Sequence, residues 1–212
     1  MSIKSSPLRS TSAQNFVKLA VIVEGGLFFL GLFFCWLLGL DTTDLFEISA
    51  DALWRDFGIA LLSVLPLVGV LLLLTHATWK PIRRNRRLVN VVMTRSLSQL
   101  SRLEVLLICI LAGLGEEFFF RICVQGGFWE LGLWLGIPPE YASLVAIGLA
   151  GLLFGLAHAV TFVYFVFATF FGIFFGLLWS LTGSLLVPVI AHSVYDFIAV
   201  TYLVFLLRRR RH

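Results

Sequence analysis

The sequence predicts an all-α, polytopic transmembrane helical bundle of about six spans, and three observations lead there. Of 212 residues, 59% are hydrophobic and only 13% charged, against about 25% charged in an average soluble domain. The apolar residues fall in long continuous runs, the pattern of spanning helices rather than the alternation of a membrane β-barrel. Finally, Lys and Arg gather in the flanks and one connection, where the positive-inside rule can read them.

Crossing the hydrocarbon takes roughly 20 apolar residues. The qualifying runs are about Phe16–Leu40, Phe57–Trp79, Leu103–Gln125, Tyr141–Ala157, Phe162–Leu181 and Leu185–Leu207. The first is too long for a signal-peptide core and ends without a small-residue cleavage site, so it is expected to be a retained span. The fourth is short and its joint to the fifth, Ala159–Thr161, is tight, so a bent hairpin or broken helix is expected there.

Basic residues lie at Lys4, Arg9 and Lys18, through the connection Lys80–Arg102, and in the tail Arg208–Arg211. Acidic residues Asp41, Asp44, Glu47, Asp51 and Asp56 sit between the first two runs. An even number of spans with both termini cytoplasmic satisfies all of these biases. The expected organisation is a cytoplasmic tail over 1–15 and two spans with a basic cytoplasmic loop over 16–102. A helical bundle over 103–207 and a basic tail over 208–212 complete it.

The formal charge of +4 does not point to nucleic acid, because topology accounts for the basic residues. The expected partners are membrane lipid and a membrane-associated protein or peptide. Arg83–Arg87 could also grip anionic headgroups, although a topology signal explains them more simply. Cys35, Cys109 and Cys123 all lie in apolar runs and read as small hydrophobes.

Ionisable groups at the centre of a span cost roughly 2.5–3.5 kcal/mol each on insertion scales. The second half of the chain carries Glu116, Glu117, Arg121, His158, His192 and Asp196 within its apolar runs. Such penalties are tolerated when the groups face one another or a wet cavity, so a shared polar site is expected. Glu117 and Arg121 are four apart and share a helical face, as do His192 and Asp196. Glu116 lies about 100° around the helix and is not needed for the first pair. Both glutamates could merely neutralise Arg121, but one would suffice. Glu24 and His76, near the ends of their spans, are expected to snorkel to the interface.

Counted along straight helices, Glu116 falls near mid-membrane, His158 near the cytoplasmic side and His192 in the outer half. They meet only if helices tilt or break, with Gly126–Gly127 and Pro188 the candidate places. Gly113, Gly115, Gly155, Gly172, Gly176 and Gly183 are expected to permit close helix approach.

Three segments carry a resemblance: Glu116-Glu117-Phe-Phe-Phe-Arg121, Phe154-Gly-Leu-Ala-His158 and His192-Ser-Val-Tyr-Asp196. In this order they resemble the signature of the CPBP family, the type II CAAX prenyl endopeptidases and bacteriocin-processing enzymes also called the Abi family. The resemblance covers roughly Leu103–Leu207. It implies an intramembrane endopeptidase in which Glu116, helped by His158, activates a water. His192 and Asp196 would stabilise the oxyanion, while Glu117 and Arg121 hold the site together. CAAX-processing members have Asn at the last position, and an ionised Asp196 cannot donate to an oxyanion. Asp196 is therefore protonated, orients His192, or binds a metal.

The resemblance favours a cofactor-free reaction. The residues alone also permit zinc on His158, His192 and Glu116, with one position left for water. Two further classes are a proton-coupled transporter, which predicts inverted repeats that the sequence does not show, and a non-catalytic scaffold or immunity protein on the same fold.

Overall fold

The computed structural model describes residues 11–40, 50–97 and 99–209, and among these there is no strand. Asp41, Asp44, Glu47 and most of the two tails lie outside the described residues. The elements are α1 (Thr11–Leu38), α2 (Ala50–His76), α3 (Lys80–Ser96), α4 (Arg102–Glu117), a π-helical segment (Phe118–Gln125), α5 (Gly126–Trp134), α6 (Pro139–Ala157), α7 (Phe162–Thr182) and α8 (Leu186–Arg209).

Among the described residues, five helical stretches are long and apolar enough to cross a membrane: Gln14–Leu38, Asp51–His76, Pro139–Ala157, Phe162–Thr182 and Leu186–Leu206. They correspond to five of the expected runs. The other, Leu103–Gln125, is built differently. α4 has only 16 residues, short of a span, but it continues without a break into the π-helical segment. The protein is an integral membrane helical bundle. Its outer surface bears Trp36, Phe29, Leu62 and Leu73, each at least 67% exposed, which water would not tolerate at this density and lipid does.

Local chemistry sets the ends. Ser101 and Glu104 form a capping box at the start of α4, with Ser101 N–H donating to Glu104 Oε2 at 2.9 Å. Thr161 caps α7 by accepting from Tyr164 N–H at 3.0 Å. Gly183 closes α7 in the left-handed region, at φ +67°, so it serves as a helix stop rather than the close-approach position expected of it. Pro188 lies in the first turn of α8, where a missing N–H breaks no bond within the helix; the break considered there does not occur.

Two stretches are more ordered than the sequence suggested. The basic connection Lys80–Arg102 is mostly helix α3, and residues following Gln125 form α5. α8 packs against both α2 and α4, α1 against α4, and α6 against α7. One apolar core joins Ala60, Val64 and Leu67 of α2 to Phe175, Val187 and Ala191. Another joins Cys35 of α1 to Phe118, Ile122 and Cys123 of the π segment. α4, α6, α7 and α8 are thereby held around the polar residues.

Candidate active site

The two glutamates end α4 at the point where helical pitch changes. Gly126 N–H donates to Arg121 O, the i→i+5 bond of a π helix, a rare form frequent at functional sites. Glu117 and Arg121 are both fully buried, with Glu117 Oε2 3.0 Å from Arg121 Nε. The N–H is not aligned with that oxygen, so neither atom counts as hydrogen-bonded. The contact is an ion pair, whose attraction in a low-dielectric interior does not depend on alignment.

Arg121 Nη1 donates to Gly172 O at 2.9 Å and to Gln125 Oε1 at 3.0 Å. Gln125 Nε2 in turn donates to Gly176 O at 3.2 Å and Ser180 Oγ at 3.0 Å. These bonds stitch the π segment to α7. They require glycine at Gly176, where a Cβ would stand 2.8 Å from Arg121 Nη1 and 2.6 Å from Gln125 Oε1. Gln125 and Ser180 were not singled out in the sequence, although a Gln four residues after Arg121 in an apolar run was a readable signal.

His192 continues the chain of contacts. Its Nδ1 lies 2.8 Å from Glu117 Oε1. As Glu117 is paired with Arg121, its carboxylate is the acceptor and Nδ1 the donor. The imidazole also stacks on Phe175, with centroids 4.9 Å apart and planes 9° from parallel. Held on both sides, His192 presents Nε2 to Asp196 Oδ2 at 3.5 Å.

The Phe154–His158 spacing has a direct cause. His158 caps the end of α6, and its Nδ1 lies 2.8 Å from Phe154 O, one turn back. A carbonyl only accepts, so Nδ1 donates and Nε2 is the nitrogen that faces Glu116. The Phe154 ring stacks on the same imidazole at 4.4 Å. His158 Nε2 and Glu116 Oε2 are 3.4 Å apart, within ion-pair range but too long for a strong hydrogen bond. Glu116 Oε2 is buried and has no hydrogen-bond partner.

All six ionisable residues singled out in the second half of the sequence therefore converge, despite their expected separation in depth. Glu116, His158, His192 and Asp196 line one cavity of about 250 Å3. Glu117 and Arg121 lie behind it. His158 and Asp196 are the more open members, with side chains 27% and 35% exposed.

Glu24 departs from expectation. Its Oε2 is buried without a partner rather than snorkelling to the interface, and it lies within electrostatic range of Glu116, His158, His192 and Asp196. Close packing of α1 on α4 brings it there: a Cβ on Gly115 would clash with Glu24 O. Among the described residues, no group of three His, Cys, Asp or Glu is disposed to hold a metal ion.

Fold and site together define an integral membrane protein with a polar, cavity-lining cluster inside its bundle. Residues 98–198 match the family model described as type II CAAX prenyl endopeptidase Rce1-like. The resemblance to the CPBP family holds, and this stretch, from Glu116 through Asp196, is Rce1-like; α1, α2 and α3 lie outside it. The match supports protease activity and a peptide substrate in a membrane setting. No curated protein and no solved structure matches the chain.

Proposed function

We propose that the chain is an intramembrane endopeptidase that hydrolyses a peptide bond of a membrane-associated protein or peptide, without a metal, using Glu116 as general base. The observation that carries this reading is Glu116 itself. Its side chain lines the cavity, and its Oε2 has no hydrogen-bond partner and lies 3.4 Å from an imidazole whose other nitrogen is already committed. That arrangement suits taking a proton from water and serves no evident packing purpose.

In the proposed step Glu116 removes a proton from a water oriented by His158, and the water oxygen attacks the scissile carbonyl carbon. In this step His192 is the imidazolium: its Nδ1–H is held by Glu117 and its Nε2–H donates to the developing oxyanion. Asp196, an anion 3.5 Å from that nitrogen, stabilises and orients the imidazolium through its charge, so it need not donate. Collapse breaks the C–N bond, and Glu116 returns its proton to the departing amine. We place both termini on the cytoplasmic side, from the distribution of Lys and Arg.

The test uses the full chain in detergent with an S-farnesylated peptide. Wild type cleaves it, and Glu116→Gln lowers the rate by about 10²-fold or more. A zinc chelator leaves the wild-type rate unchanged. Cleavage by Glu116→Gln at the wild-type rate defeats the reading, and chelator-sensitive activity restored by zinc defeats its metal-free form.

A further inference from the structure

The cavity that reaches Glu116 also takes in a cation for which the proposed hydrolysis has no use. Arg86 lies on α3, outside the Rce1-like stretch. Ile82, Asn85, Arg86 and Val89 line the cavity, at the i, i+3, i+4, i+7 spacing of one helical face. Arg83, Arg84 and Arg87 are exposed to the outside. Arg86 is thus separated by helical geometry from the residues that surround it in sequence.

Its position is fixed from two sides. Asn85 Oδ1 accepts from Thr161 Oγ1 at 2.5 Å, and Thr161 is three residues beyond His158. Arg86 Nη1 donates to the carbonyls of Leu74 at 3.3 Å, Ala77 at 3.4 Å and Thr75. Leu74 and Thr75 are in the last turn of α2, where carbonyls lack partners in their own helix, and Ala77 is the first residue past its end. α3 thereby bridges the end of α2 and the start of α7, beside His158.

All of these bonds use Nη1. Among the described residues Nε and Nη2 of Arg86 have no hydrogen-bond partner, and no carboxylate lies within ion-pair distance. The Nε–Nη2 edge of a guanidinium is a planar fork that matches a carboxylate with two parallel hydrogen bonds. The cavity thus pairs a hydrolytic carboxylate with an anchored cation whose fork is uncommitted, between mostly apolar walls.

We propose that Arg86 binds the terminal carboxylate of the peptide substrate. This deepens the endopeptidase reading and rests on it.

The test reads binding on the full chain in detergent carrying Glu116→Gln, so that the peptide stays intact. The probes are an S-farnesylated peptide with a free C-terminal carboxylate and its C-terminal amide. The free acid binds at least about 10-fold tighter, the scale of a charge-assisted bidentate pair. Adding Arg86→Gln removes that preference by weakening the acid alone. Arg86→Lys keeps a charge and a donor for α2 but loses the fork, and lowers the preference several-fold; it decides the matter if Arg86→Gln does not fold. Equal binding of acid and amide before Arg86 is changed overturns the proposal. So does a preference that either variant leaves intact, including one that tracks anionic lipid content instead. Because binding is read without turnover, a wild type that prefers the acid but cleaves neither peptide refutes the hydrolysis and not the anchor.

Discussion

Glu116 and Glu117 are adjacent in sequence and have opposite surroundings. Glu117 is wholly buried, paired with Arg121 and accepting from His192. Glu116 lines the cavity, and the one group within ion-pair distance of it among the described residues is His158, at 3.4 Å. A charge in a membrane interior persists when its partners neutralise it or when the site gains from keeping it reactive. The first condition describes Glu117 and makes it part of the frame. The second describes Glu116. Neighbouring identical residues can thus be divided between stability and chemistry by a rotation of about 100° on one helix.

The largest effect expected on the frame side comes from Arg121→Ala. It leaves Glu117 buried without its counter-charge, and breaking a buried pair in this way costs about 3–5 kcal/mol. The folded yield in detergent should fall sharply, and a variant that purifies and melts like wild type would remove the distinction between the two glutamates. Gly176→Ala should cost less, about 1–3 kcal/mol, because the added methyl displaces Arg121 Nη1 and Gln125 Oε1 without deleting a charge. Its melting temperature should fall while cleavage by the folded fraction persists. Loss of cleavage at unchanged stability would mean that the frame and the reactive side are not separable.

The sequence made some of this legible and hid the rest, for physical reasons. Contacts one helical turn apart could be read from spacing: Glu117 with Arg121, His192 with Asp196, and Phe154 with His158. The bond from Glu117 to His192 spans 75 positions, and no local periodicity encodes it. The π-helical pitch after Glu117 was equally invisible, since its residues are ordinary helix-compatible apolar ones. α3 was masked by its charge: the cationic residues that mark topology also form the outer face of an amphipathic helix. Glu24 looked interfacial because depth was counted along α1 alone, without the close approach that Gly115 allows. The depth mismatch anticipated between His158, Glu116 and His192 came from the same straight-helix counting.

The most direct test of the division sets Glu116→Gln beside Glu117→Gln and measures both melting and peptide hydrolysis for each. Gln keeps the size and a hydrogen-bonding head while removing the charge, so neither change opens a cavity. The account predicts that Glu116→Gln melts with wild type and loses hydrolysis by about 10²-fold or more. Glu117→Gln should instead melt well below wild type, because Arg121 is left as an uncompensated buried cation. The reverse pattern, or two variants that behave alike in both measurements, would contradict it.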